Sequence, residues 1–207
     1  MQFRIADTFT SSLARMTGDE QKVAKTTAFD LQVDPTGNGM KFHKLDRARD
    51  PAFWSVRVTR DIRLIVHKTS GSLLLCYVHH HDKAYQWAER RKLETHPTTG
   101  AAQFVEIREL VRDITVPRFV EGTKPAPAAL FARFSDEQLL GYGVPPEWLA
   151  DVRGVTDEDR LLELVDHLPG EAAEALLELA TGGTPAVPPP GVKPDDPFQH
   201  PDAQRRF

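Results

Sequence analysis

FWSVRVTRDIRLIVHKTSGSLLLCYVHHHDKAY, residues 53–85, carries three runs of β-forming residues separated by two short turns. The runs PAFWSVRVT (51–59) and DIRLIVHKT (61–69) flank the pair Arg60-Asp61, and LLLCYVHHH (73–81) follows Ser70-Gly71-Ser72. The spacing leaves no room for a crossover helix and predicts an antiparallel meander. In the middle run Ile62, Leu64 and Val66 alternate with Arg63, Ile65 and His67, so one face is apolar and the other mixed. Arg57 is a charged residue between Val56 and Val58. With Arg60-Asp61 as the hairpin turn, Arg57 and Arg63 stand near each other on one sheet, and two converging guanidinium groups suit a phosphate between them.

Toward the N-terminus, Phe3, Ile5 and Phe9 alternate with polar residues as a first strand would, and Ser11 to Met16 fits a short helix. A longer helix opens at Gly18, with Val23, Ala24, Thr27, Ala28 and Leu31 at helical spacing, Asp19 as its expected N-cap and Pro35 just beyond its end. DPTGNGM (34–40) reads as a turn, because it lacks the flanking pattern of a nucleotide-binding loop. On the other side, Asp82 to Lys92 reads as a helix with Ala84, Trp87, Ala88 and Arg91 at helical spacing. For Gln103 to Val116, periodicity does not separate strand from helix. KPAPAA (124–129) reads as a semi-rigid linker. Short helices follow, with Ser135 and Thr156 as expected caps, Pro145-Pro146 leading into one helix and Gly182 closing the last. Leu161, Leu164, Val165 and Leu168, then Ala172, Ala175, Leu176 and Leu179, form apolar stripes. The expected fold is α+β. A sheet domain spans 1–95, a connecting segment 96–129, a small all-α domain 130–183 and a Pro-rich extended tail 184–207.

The 207 residues carry a formal net charge of -4, which averages over unlike parts. Residues 1–120 hold 19 Lys+Arg against 14 Asp+Glu, and residues 121–207 hold 7 against 16. No run approaches the roughly 18 apolar residues of a membrane span. There is no secretory signal pattern at the N-terminus, and a single cysteine excludes a disulfide framework. A cytoplasmic protein is expected.

Lys41, His43, Lys44, Arg47, Arg49, Arg57, Arg60 and Arg63 meet only Asp46, Asp50 and Asp61 over the same stretch. Such a strip on a small sheet attracts a polyanion, unless its charges merely pair locally on a solvated surface. At the end of the meander stands Tyr77-Val-His-His-His-Asp-Lys-Ala-Tyr85. On a strand His79 and His81 share a face while His80 points the other way, so the three cannot chelate together, and neither a metal nor another cofactor is expected. The histidines serve either as a polar cap on the sheet or as acid/base groups beside the arginines.

The run 53–85, preceded by KFHKL (41–45), resembles the C-terminal half of RelE/ParE-superfamily toxins, and the likeness extends over about residues 1–92. It implies two N-terminal helices packed on an antiparallel sheet, and a C-terminal helix follows here. RelE-type members cleave mRNA in the ribosomal A site without metal, whereas ParE-type members inhibit gyrase. Carried over residue by residue, Arg63 falls on the phosphate-binding arginine and Arg57 on a second basic position of the YoeB-like branch. His81 falls on that branch's catalytic histidine and Tyr85 on its terminal tyrosine. Where the branch has an acidic base this chain offers His43 and Lys44. The longer architecture, a RelE-like N-terminus followed by SDEQLLGYGVPPEWLADV, LPGEAAEALLELATG and a Pro-rich tail leading into DPFQHPDAQRRF, resembles the N-terminal region of bacterial UvrD/Rep-type superfamily 1 DNA helicases that carry a toxin-like domain. The chain has no G-x-x-x-x-G-K-[ST] loop, so that resemblance places the ATPase motor beyond Phe207.

Three functions follow from these readings. The favoured one is a non-catalytic nucleic-acid-binding module of a helicase, holding RNA or DNA through Lys41, Lys44, Arg47, Arg49, Arg60 and Lys83 around Arg57 and Arg63. The second is a metal-independent endoribonuclease with Arg57 and Arg63 stabilising charge, His81 as acid, His43 or Lys44 as base and Tyr85 beside them. The third is protein interaction, with the acidic helical segment docking on the basic sheet in cis or on a partner.

Overall fold

The computed structural model describes residues 1–35, 40–110 and 128–187, and the chain divides into two compact units, Met1–Lys92 and Leu93–Phe207. The glycine pair of the expected 34–40 turn, most of the linker and most of the Pro-rich tail lie outside the described residues.

The first unit runs β1 (Gln2–Ile5), α1 (Asp7–Ala14), α2 (Gly18–Val33), β2 (Phe42–Lys44), β3 (Phe53–Arg57), β4 (Ile62–Lys68), β5 (Ser72–His80) and α3 (His81–Glu89). Its sheet has the order β1-β5-β4-β3-β2. The meander β3-β4-β5 is antiparallel as expected, with β2 added at its edge. The sheet as a whole is mixed rather than antiparallel, because β1 pairs parallel to β5, from Gln2 opposite Ser72 to Ile5 opposite Leu75. Ala6 N–H donates to the Leu75 carbonyl and closes that ladder.

Two expectations near the N-terminus are corrected. Phe9 lies in α1, not in a strand; Phe9 and Leu13 within the helix, and Met16 just beyond its end, are buried against the sheet. The N-cap of α2 is Thr17 rather than Asp19. The Thr17 hydroxyl accepts from Glu20 N–H at 3.4 Å and Glu20 Oε2 accepts from Thr17 N–H at 2.9 Å, a reciprocal capping box. Asp19 sits in the first turn, where a carboxylate complements the helix dipole.

A β-bulge decides what each face of the sheet presents. Ile65 pairs with Tyr77 but Val66 pairs with Leu75, so Cys76 is the extra residue and the alternation of β5 changes phase there. Leu73 and Leu75 before the bulge, and Val78 after it, lie on the side of α1 and α2 with Val56, Ile62, Leu64 and Val66. Tyr77 and His79 are thereby turned to the opposite side, where α3 packs. Trp87 of α3 stacks on Tyr77 with ring centroids 4.9 Å apart and planes at 4°, and approaches Phe53 at 5.9 Å. α3 ends at Glu89, and Arg91 and Lys92 are not in a helix but begin β6 (Arg91–Thr95).

In the second unit β6 forms a two-stranded sheet with β7 (Ala102–Glu106), so the first residues of the ambiguous segment are a strand, followed by a 3-10 turn at Arg108–Leu110. The all-α part comprises α4 (Asp136–Gly141), a 3-10 turn at Pro146–Trp148, α5 (Leu149–Arg153), α6 (Glu158–Val165) and α7 (Gly170–Ala180). Ser135 caps α4 through a box with Gln138, and Gly182 closes α7 at φ 86°, both as expected. Asp157, not Thr156, caps α6, since its carboxylate accepts from Arg160 N–H at 2.9 Å. Leu161, Leu164, Leu168, Ala172, Ala175, Leu176 and Leu179 are buried around Trp148 and Phe131. Among the described residues no helix is long and apolar enough to cross a membrane.

Candidate nucleic-acid interface

On the α3 side of the sheet, cross-strand register assembles a row of three basic-type side chains. Arg57 on β3 stands directly opposite Arg63 on β4, and Arg63 stands directly opposite His79 on β5. Directly opposed residues project from the same face. The neighbouring row is His43, Ser55, Ile65 and Tyr77. Tyr85, on α3, brings its hydroxyl 3.1 Å from Ser55 Oγ. Trp87, Tyr77 and His79 form one stack, the Tyr77 and His79 rings being 6.1 Å apart at 18°, so the stack ends in the row beside Arg63.

Both guanidinium groups are held by main-chain carbonyls of the β3–β4 hairpin. Arg57 Nε donates to the Thr59 carbonyl at 3.1 Å. Arg63 Nη1 donates to the same carbonyl at 3.0 Å, to Ile62 at 3.0 Å and to Arg60 at 3.3 Å. Among the described residues no carboxylate reaches either arginine. Like charges directly opposed across a ladder destabilise a sheet by roughly 0.2–1 kcal/mol. The arrangement therefore opposes folding and favours an anion.

The strand ends one residue earlier than three consecutive histidines imply. Ile62 pairs with His80, and His81 N–H donates to the Asp61 carbonyl at 2.7 Å, so His81 is the first residue of α3 and does not share a strand face with His79. His79 Nδ1 accepts from His80 N–H at 2.8 Å, which places the proton of the neutral ring on Nε2. Burial first, then the charges of Lys83 and His80, hold the His79 imidazolium below its ordinary range. His80 points to the other side and bridges Asp61 (2.6 Å) and Glu20 (3.3 Å). His81 Nδ1 lies 2.9 Å from Asp82, with its ring 4.2 Å from that of Tyr85.

The register thus brings together Arg57, Arg63, His43 and, through Ser55, Tyr85, and adds His79, which the sequence reading left outside its site. Its signal was present in the alternation of β5 and was hidden by the bulge. Lys44 and Arg47 line a shallow hollow with Leu45, Asp46, Tyr85 and Glu89. Lys41, Arg49, Arg60 and Lys83 are exposed, Arg60 at the hairpin tip and Lys83 in the first turn of α3. Cys76 is buried and its thiol is pushed up by that burial, which disfavours the nucleophilic thiolate. Among the described residues no three His, Cys, Asp or Glu side chains are grouped to hold a metal ion.

No family model matches the sequence. No curated protein matches it either. Among solved structures, it is similar to a chain of the RelB–RelE antitoxin–toxin complex from Methanococcus jannaschii, 16% identical over 42% of this chain and 98% of that one, with a TM-score of 0.34. It is also similar to a chain of the RelBE2 toxin–antitoxin complex from Mycobacterium tuberculosis, at 18% identity over 39% and 96% with a TM-score of 0.32. The YoeB/ParE toxin from Agrobacterium tumefaciens is 16% identical over 39% and 99%, with a TM-score of 0.32.

Proposed function

We propose that the first unit binds the phosphate backbone of a nucleic acid on the Arg57–Arg63–His79 row. The observation that carries this reading is the directly opposed arginine pair, held only by carbonyls and reached by no carboxylate among the described residues. A phosphate placed there receives charge-assisted bonds from two guanidinium forks and a further N–H from His79 Nε2. Lys41, Lys44, Arg47, Arg49, Arg60 and Lys83 extend the positive field for the flanking strand.

The resemblance of the toxin-like unit with its helical segment and Pro-rich tail to N-terminal regions of UvrD/Rep-type helicases supports a module that holds a strand for a motor, and whether the same gene encodes a G-x-x-x-x-G-K-[ST] loop tests that context directly. A second reading, RNA cleavage, is favoured by His79, whose imidazolium is disfavoured by burial, beside Arg63 and by the proximity of His43 to the Ser55–Tyr85 pair. In that reading the 2′-hydroxyl gives its proton to one histidine as base while its oxygen attacks the adjacent phosphorus, the arginines stabilise the added negative charge, and a second, protonated histidine gives its proton to the leaving 5′-oxygen as the P–O5′ bond breaks.

Fluorescence anisotropy of a labelled single-stranded RNA and its DNA counterpart, titrated over a salt series, tests the binding reading. Arg63→Ala is expected to weaken binding by about tenfold and to lower the salt slope by about one. Wild-type affinity in Arg63→Ala defeats it. Cleavage of the same RNA in chelator, lost in Arg63→Ala and in His79→Ala, selects the second reading over simple binding.

A further inference from the structure

Thr59 is the residue through which the two arginines meet, and each guanidinium is held in a different way. A guanidinium offers two bidentate edges, one made by Nε with an Nη and one made by the two Nη atoms. At Arg57 the Thr59 carbonyl takes Nε, which leaves the Nη1/Nη2 edge available. At Arg63 the same carbonyl, with those of Ile62 and Arg60, takes Nη1, which leaves the Nε/Nη2 edge available. Each arginine therefore retains one complete fork.

The carbonyl can hold both groups only if the hairpin is fixed, and the Thr59 hydroxyl fixes it. Its Oγ1 accepts from Ile62 N–H at 3.0 Å and from Asp61 N–H at 3.3 Å, while the main chain closes through Val58 N–H and Thr59 N–H to the Ile62 carbonyl at 3.1 and 3.4 Å. Asp61 in turn is anchored by its carboxylate on His80 and by its carbonyl on His81 N–H.

We infer that Thr59 is a positioning residue for a phosphate group of a nucleic-acid backbone, its hydroxyl fixing the hairpin so that its carbonyl aims one fork of Arg57 and one fork of Arg63 at the same anion. This rests on the phosphate-binding reading of the row. Loss of the hydroxyl leaves both arginines present and charged but no longer converging, which lowers affinity without removing a cation.

The test is anisotropy of a labelled single-stranded RNA with the full chain. Thr59→Val, which keeps the branched shape, is expected to bind about tenfold more weakly, and Thr59→Ser, which keeps the hydroxyl, within about twofold of wild type. In a background lacking both arginines, Thr59→Val is expected to cost less than about twofold, since neighbours that act as a unit are not additive. Wild-type affinity in Thr59→Val, equal losses in Val and Ser variants, or an undiminished Thr59→Val loss in the arginine-free background each overturn the assignment while leaving the row intact as a phosphate site. Wild-type affinity in Arg63→Ala overturns the phosphate reading itself.

Discussion

Ser55 and Tyr85 meet hydroxyl to hydroxyl at 3.1 Å, tying the centre of the sheet to α3 at the floor of the arginine row. Ser55 is fully buried and Tyr85 only half-buried, so the two truncations are unequal. Tyr85→Phe strands a buried hydroxyl and is expected to cost about 1–2 kcal/mol, whereas Ser55→Ala leaves a phenol that reaches water and costs less. The double variant is expected to be more stable than Tyr85→Phe alone. Denaturant unfolding of the three variants checks the order, and a double variant less stable than either single one contradicts it.

His79 gives the site a pH dependence whose sign follows from its surroundings. Burial, then Lys83 and His80, lower its pKa from 6.5, so the folded chain takes up this proton at lower pH than the unfolded chain does. Its contribution to stability is complete above about 6.5 and is lost as pH falls from there to the folded-state midpoint. NMR titration of the His79 ring is expected to give a midpoint below 6.5, and Lys83→Ala should move it upward. Anion affinity should rise as His79 protonates, and that acid-side rise should vanish in His79→Gln.

Arg63→Lys separates charge from geometry. A lysine keeps the positive charge but has no planar fork and cannot lie bonded to the Thr59 and Ile62 carbonyls while presenting two parallel donors. Its RNA affinity is expected to lie nearer that of Arg63→Ala than of wild type, with a salt slope close to wild type because the number of cations is unchanged. Full recovery by lysine would reduce the row to a diffuse positive field.

The sheet was legible from residues 53–85 because short turns allow few topologies and the alternation in β4 assigns faces without ambiguity. The pairing of Arg57 with Arg63 followed from the same local hairpin. What the sequence did not disclose depends on non-local facts. The parallel partner of β1 lies some seventy positions away along the chain. The histidine facing Arg63 could not be chosen from three in a row until the bulge at Cys76 set the phase of β5 and the bond from His81 N–H to Asp61 ended the strand. Likewise, Thr17 and Asp19 are both good capping types, and only Glu20, placed to reciprocate with Thr17, decides between them.

The second unit has its own polar keystone, on which a final prediction rests. Arg108 holds Asp151 bidentately, with both bonds at 2.7 Å, and lies over the Trp148 ring at 5.3 Å. The Trp148 indole N–H donates to the Glu106 carbonyl at 2.8 Å, and His167 stacks on the same indole while its Nδ1 lies 2.9 Å from Glu106 Oε2. The Asp151 side chain is only 9% exposed, so removing its partner leaves a nearly buried charge without its counter-ion. Arg108→Ala is expected to destabilise this unit by about 3 kcal/mol, and Arg108→Met with Asp151→Leu by less, because the desolvated charge is then absent. Trp148 fluorescence reports the unfolding of this unit, since the indole sits within the cluster. RNA affinity below the transition should be unchanged in both variants, because Arg57, Arg63 and His79 all belong to the first unit, and a parallel loss of binding would contradict this.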